Sequence, residues 1–278
     1  MGNICWLASY PKSGNTWLRA FLANMVVDGG RPVALAELTR YCEDEALPED
    51  YAALAKRPSI DLTIQDISRL RPQVHARIAA RHPATVFVKT HNMFGSYDGY
   101  PLHAAELTVA AIYVVRNPLD VVLSMADHFA LSLDDAIEYL GSDDAATAND
   151  ALHVSQVLAS WSRHVASWAD QSSASVLVVR YEDMLDKATK TFGRIARLLR
   201  MDGDRGRLER AIKYSTFPVL AAMERQAGFV EASGKGGRFF RKGRANQWRE
   251  SLNRDQVARI VNDHREQMAR FKYLPPGF

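Results

Sequence analysis

Short β-branched runs, separated by stretches with helical spacing, constrain this chain more than any other feature. Ile4–Ser9, Thr85–Thr90, Thr108–Val115 and Ser175–Arg180 each read as a strand. None alternates cleanly between apolar and polar residues, as expected of strands covered on both faces. Helical patterns lie between them. Leu18, Phe21, Leu22 and Met25 share one helical face after the first strand. Val154, Val157, Leu158, Trp161, Val165 and Trp168 share a second, and Val257, Ile260, Val261, His264, Met268 and Phe271 a third. Strands alternating with helices predict an α/β fold, a single domain over residues 1–278 with a central, mainly parallel sheet flanked by helices.

Composition narrows the class further. The chain has 278 residues, 47% hydrophobic and 24% charged, which supports one large core and excludes disorder as the main state. Cys5 and Cys42 are the only cysteines, too few for a disulfide framework or a thiolate-rich zinc site, and they fit a reducing, cytoplasmic setting. The longest apolar run, Val109–Val115, falls far short of the ~18 residues of a membrane span, so no membrane association is expected. The first residues lack a basic stretch ahead of an apolar core, and Trp6 stands where a myristoylation pattern needs Ser or Thr.

The net charge is +3, and its distribution carries the information. Between Lys235 and Arg254 lie seven basic residues and one acid, so the rest of the chain sums to −3. Such concentration predicts a local anion site and no nucleic-acid partner. Asp134–Asp150 holds six acids and no Lys or Arg, and reads as a solvated loop face. Two regions break the strand–helix rhythm. Residues 29–83 form a long excursion with five prolines, where Leu62, Ile64, Ile67 and Leu70 suggest short helices. Residues 228–245, rich in glycine and basic residues, read as a mobile lid.

The strongest local signal is Tyr10-Pro11-Lys12-Ser13-Gly14-Asn15-Thr16-Trp17, between the first strand and its helix. A helix N-terminus offers unpaired amides and the positive end of the helix dipole, so it binds phosphate or sulfate. Lys12 adds a full charge, Ser13 and Thr16 add hydroxyls, and Gly14 lets the backbone approach. The plain alternative is a helix cap with a solvated lysine. The order is not that of a Walker A loop, because the lysine precedes the glycine. Three further segments carry chemistry. Tyr113–Ser124 places Arg116 at a strand's carboxyl end, Asn117 as a cap, Pro118 at the first helical position and Ser124 two turns on. Val88-Lys89-Thr90-His91 puts Lys89 and His91 on the same side of a strand end. Phe239–Trp248 is a basic loop containing Arg241-Lys242-Gly243. An isolated arginine or histidine is ordinarily structural; four such segments in one chain are not.

Together these segments resemble those of the cytosolic-type sulfotransferases, in that family's order and over nearly the whole chain. The resemblance implies a P-loop-like nucleotide-binding core and 3′-phosphoadenosine 5′-phosphosulfate (PAPS) as sulfuryl donor, with the 3′,5′-bisphosphate PAP as product and no metal. It implies that Lys12, Ser13, Gly14, Asn15, Thr16 and Trp17 hold the 5′-phosphosulfate and the base. Arg116, Ser124, Arg241, Lys242 and Gly243 would hold the 3′-phosphate. His91 would be the general base, with Lys12 and Lys89 steadying the transferred group. Weaker likenesses in Tyr181-Glu182-Asp183 and Ser215-Thr216-Phe217 imply that Tyr181, Thr216 and Phe217 meet the adenine. The usual Gly-Asp before the tryptophan is here Asn246-Gln247. The segment Arg249–Arg254 departs from the stretch through which family members pair, leaving the oligomeric state open. The acceptor is expected to be a hydroxyl (or amine) of a small molecule, natural product or sugar. It would be bound by residues 29–83, the acidic stretch and residues around Phe129. Two other readings remain: a P-loop-like kinase, and a non-catalytic nucleotide- or anion-binding module.

Overall fold

A computed structural model describes residues 3–171, 176–232 and 237–278. Ser175 of the fourth expected strand and Lys235 of the basic stretch lie outside the described residues, as does part of the expected lid. The strands are β1 (Ile4–Ser9), β2 (Glu43–Asp44), β3 (Val86–Thr90), β4 (Ser96–Tyr97), β5 (Tyr100–Pro101), β6 (Thr108–Val115) and β7 (Val176–Arg180). The first half carries α1 (Asn15–Val27), α2 (Pro48–Ala55), α3 (Ile64–Arg81), α4 (Pro118–Phe129), α5 (Leu133–Gly141) and α6 (Trp161–Ala169). The second half carries α7 (Tyr181–Asp186), α8 (Ala188–Leu198), α9 (Arg205–Tyr214), α10 (Phe217–Ala227) and α11 (Arg254–Arg270).

Five strands form one sheet in the order β2-β3-β1-β6-β7, and every pairing in it is parallel. Period-two alternation sends side chains to two buried faces. Ile4, Trp6, Ala8, Val86, Val88, Tyr113 and Val115 meet Ile67, Leu123, Trp161, Trp168 and Ile260 on one side. Leu7, Ile112, Val114 and Val179 meet Phe21, Phe192 and Ile195 on the other. Each fully buried aliphatic or aromatic side chain contributes roughly 1.5–3 kcal/mol, so both layers are needed to hold the sheet.

The four expected strands are present, with β3 beginning one residue late, at Val86. The helices depart from expectation in three places. The stretch expected to be helical from Val154 begins its helix only at Trp161. Val154 N–H donates to Ala46 O, Val157 N–H donates to Asn92 Oδ1, and Ala159 has φ +56°, so an irregular chain crosses the sheet's end until Ser160 caps α6. The acidic stretch is not wholly a loop. Ser132 caps α5, which buries Ala136, Ile137 and Leu140. The excursion is mostly structured, and α3 runs 18 residues through Pro72. An interior proline costs about 3 kcal/mol; the capping box of Thr63 and Asp66 and the buried stripe Ile67, Leu70, Val74 and Ile78 offset it. In the basic segment, Glu224 accepts from Phe239 N–H and Phe240 N–H at 2.5 and 2.9 Å, and both rings pack with Leu220 and Val33.

Candidate active site

Parallel strands bring their carboxyl ends to one edge, where open α/β sheets bind ligands. There the structure opens a cleft of about 480 Å³. It is lined by Lys12, Gly14, Asn15, Thr16 and Trp17 after β1, by Lys89 and His91 at the end of β3, and by Arg116 and Ser124 at and beyond the end of β6. Tyr181, Phe217, Arg241, Lys242 and Gly243 complete that set. Thus fourteen of the sixteen residues named from sequence meet at one site. Ser13 and Thr216 do not line it. Ser13 is buried, and Thr216 precedes α10 with its hydroxyl donated to Lys213 O at 3.1 Å. No described residue from 29–83 lines the cleft, which corrects the expectation that the excursion binds the acceptor there. It folds instead into the edge strand β2 and the helices α2 and α3. Phe129, Thr147, Ala148, Asp150, Leu152, His153 and Gln156 form part of the remaining wall, with His128 and residues 230–232 also lining the cleft.

The turn after β1 is built by backbone strain and close approach. Lys12 and Gly14 adopt left-handed φ values of +65° and +106°. A Cβ on Gly14 would stand 2.8 Å from the Tyr181 ring, so only glycine fits. Asn15 pins the turn by donating to Leu7 O at 2.8 Å. Lys12 Nζ lies 3.9 Å over the Phe239 ring. Burial lowers its pKa to about 8, with Arg116 and Arg241 adding to the effect against the raising influence of Glu231 and Asp127. The Thr16 hydroxyl is already engaged: it donates to Glu231 at 3.0 Å and accepts from Arg19 at 2.9 Å, and Arg19 also pairs with Glu231 at 2.6 Å.

At the end of β3, His91 is held by three groups. Its Nδ1 donates to Ser9 O at 2.7 Å, its N–H donates to Gln156 Oε1 at 2.7 Å, and its carbonyl accepts from His164 Nε2 at 3.0 Å. The Ser9 bond selects the tautomer with a free lone pair on Nε2. Burial, then the charge of Lys89, push the imidazole pKa down to about 3, so it is neutral. Lys89 Nζ stands 2.6 Å from Asp44 Oδ2.

Arg116 donates to Lys12 O at 2.8 Å and stacks 4.5 Å from the Tyr181 ring centre, which ties the β6 end to the first turn. Arg241 pairs with Asp127 at 2.9 Å. Asn246-Gln247 forms a turn held by Asp120. Asn246 takes φ +62°, which asparagine tolerates, and Asp120 accepts from Asn246 N–H and Trp248 N–H at 2.7 and 3.1 Å. Trp17 meets the Tyr181 ring edge-on at 5.7 Å. Sequence reading missed Asp44, Gln156, Glu231 and Arg19, whose partners are distant in the chain. It also missed Asp120 and Glu182, which sit inside quoted motifs. The half-buried Glu182, its pKa raised by desolvation, accepts from Asn117 N–H at 3.1 Å and Tyr273 OH at 2.6 Å, joining the ends of β6 and β7.

The fold and cleft define an α/β protein of the kind that grips anions at a strand–turn–helix corner. The chain belongs to the sulfotransferase domain family, whose model matches residues 4–272. It is 24% identical to sulfotransferase 1B1 of Mus musculus over 215 residues, covering 77% of this chain and 64% of that protein. It is 24% identical to sulfotransferase 2A2 of Rattus norvegicus over 285 residues, covering 98% and 85%. In fold it resembles retinol dehydratase, solved with androsterone and the inactive cofactor PAP, with a TM-score of 0.66, 18% identity and coverage of 99% of this chain and 83% of that one. Among the described residues no helix is long and apolar enough to cross a membrane.

Proposed function

We propose that this protein is a sulfotransferase that moves a sulfuryl group from PAPS to a hydroxyl or amine of a small-molecule acceptor. The observation that carries the reading is His91: neutral, with Nδ1 fixed on Ser9 O and Nε2 free, two residues from Lys89 at the cleft. The cleft also fits a bisphosphate nucleotide. Trp17 Nε1 and Arg116 Nε, both of cleft-lining residues, are buried with no partner among the described residues, and Gly14 and Gly243 stand where a Cβ would strike Tyr181 and Phe217.

When bound, PAPS supplies an activated sulfuryl group whose leaving group is the nucleotide phosphate. The protein's task in such a loose in-line displacement is positioning and charge stabilisation. His91 Nε2 takes the proton of the attacking acceptor. Lys12, on the first turn, neutralises the bridging oxygen as the leaving phosphate forms. Lys89 steadies the sulfonate oxygens. Arg116, Ser124, Arg241, Lys242 and the Gly243 amide hold the 3′-phosphate and so fix the register. Thr16 contributes its backbone amide, since its hydroxyl faces Glu231. Tyr181, Phe217 and Trp17 flank the base. The acceptor lies against Phe129, Thr147, Leu152 and His153. The setting is cytoplasmic and the site works without metal.

The test is transfer of ³⁵S from labelled PAPS across a panel of small hydroxyl and amine acceptors, run in a metal chelator. Labelled product in chelator supports the reading. Phosphoryl transfer that stops in chelator would make the protein a kinase, and PAPS bound but never consumed would make it a binding module.

A further inference from the structure

Residues 29–83 supply nothing to the cleft wall, yet they place two acids against the strand that carries Lys89 and His91. β2 is two residues long, and it pairs Asp44 with Lys89 in register. The Lys89 ammonium meets Asp44 Oδ2 at 2.6 Å, with both side chains 8% exposed. Asp44 Oδ1 accepts from Ala46 N–H at 3.0 Å, so the carboxylate cannot swing away. Lys89 reaches the cleft and Asp44 does not. Glu45, next in the chain, accepts from Thr90 Oγ1 and Asn92 Nδ2 at 2.5 Å each, and is itself held by Arg71 and His75 at 2.7 and 2.9 Å. The acid pair therefore clamps the strand end on both sides of His91.

We propose that Asp44 is a positioning residue of the transfer reaction, whose carboxylate keeps the Lys89 ammonium charged and aimed into the cleft. The proposal rests on the reading of Lys89 as the group that meets the sulfonate. A buried ammonium without a counter-charge sheds its proton or leaves its site. The other groups acting on this pair are Cys42 beside β2, His91 at the strand end, His153 with Nε2 3.8 Å from Asp44, and Glu231 of the basic segment. Cys42 is held protonated by burial, which raises it to about 12, His91 is neutral, and Glu231 is committed to Arg19. Asp44 is thus the carboxylate that balances Lys89. Burial alone would raise its own pKa, but the Lys89 charge and hydrogen bond outweigh burial and lower it.

The test is Asp44→Asn, an isosteric change, in the full chain, with folding checked by thermal melt. The expected kcat loss is on the order of tenfold to a hundredfold, with KM for PAPS and calorimetric affinity for PAP within about threefold of the parent. The alkaline limb of its pH–rate profile, which Lys12 sets near pH 8 in the parent, also moves to lower pH. On a Lys89→Gln background the same change costs less than about twofold more, because the two residues act as one unit. Independently of turnover, the Lys89 ammonium resonance, followed by NMR against pH, is lost at lower pH in Asp44→Asn than in the parent. Unchanged kcat and pH profile, effects that add in full on the Lys89→Gln background, or a Lys89 resonance insensitive to Asp44 would overturn the proposal. A parent that binds no PAP would instead overturn the sulfotransferase reading, with the NMR result still deciding the role of Asp44. Should Asp44→Asn fail to fold, Asp44→Glu, which keeps the charge on a longer arm, is expected to retain the parent pH profile with reduced kcat; an alkaline limb at lower pH than the parent's would count against the assignment.

Discussion

His91 donates its Nδ1 proton to the carbonyl oxygen of Ser9 across 2.7 Å, so the residue that ends β1 sets the tautomer of the residue that follows β3. The parallel pairing of β1 with β3 produces this contact directly. His91→Ala should abolish sulfuryl transfer while PAP affinity, measured by calorimetry, stays within about twofold, because in the proposed reaction the imidazole acts on the acceptor proton and not on the nucleotide. Near-parent turnover would place the base elsewhere.

The pH dependence follows from the same residue. A base works in its neutral form, so activity falls as pH drops through its pKa. Burial and Lys89 push that pKa down to about 3, far below the ordinary value of about 6.5. The profile of kcat/KM should stay flat from about pH 7 to about pH 5, with the His91 acid limb below and an alkaline limb near pH 8 where Lys12 loses its charge. A limb centred near 6.5 would show a solvated, ordinary histidine.

Acid stability should report Glu231. Its pKa is lowered to about 2: burial opposes ionisation, but the Arg19 charge and hydrogen bond prevail. A depressed carboxyl contributes stability in full above its unfolded value of about 4.3 and loses it as pH falls towards 2. Its contribution is on the order of 3 kcal/mol. The parent Tm should therefore fall steeply between about pH 4.3 and 2, and Glu231→Gln should flatten that slope while lowering Tm at pH 7. Equal slopes in the two proteins would show that the pair with Arg19 does not form.

Gly243 has φ +58°, and a Cβ there would overlap the Phe217 ring. Gly243→Ala should raise the PAP dissociation constant about tenfold, with little change in Tm, since the loop lies outside the two sheet-covering cores. A variant with parent PAP affinity would detach this segment from nucleotide binding.

The sequence exposes what local chemistry dictates. The four main strands are legible because each is an uninterrupted apolar run, and the Lys12–Trp17 turn because its residues act on one another within a few positions. Distant pairs leave no such trace. Asp44 and Lys89 are 45 positions apart, and Arg19 and Glu231 are 212 apart. The two-residue β2 is too short to carry a pattern. The chain at Val154–Ser160 has helical spacing yet is irregular, because its amides are taken by Ala46, Asn92 and Ala145 from other parts of the fold. The excursion read as an acceptor wall because its length argued for function. In the structure its Asp44 and Glu45 meet β3 from outside the cleft.

The central claim is that the first turn and the distant arginine segments grip two ends of one nucleotide. Calorimetric titration of PAP and of adenosine 5′-phosphate against the parent and Arg116→Ala tests it most directly. The account predicts that PAP binds the parent more tightly by about 2 kcal/mol or more, and that Arg116→Ala erases most of that preference, weakening PAP well beyond any loss for adenosine 5′-phosphate that follows from its contacts with Lys12 and Tyr181. Equal affinities in the parent, or a preference that survives loss of Arg116, would contradict it.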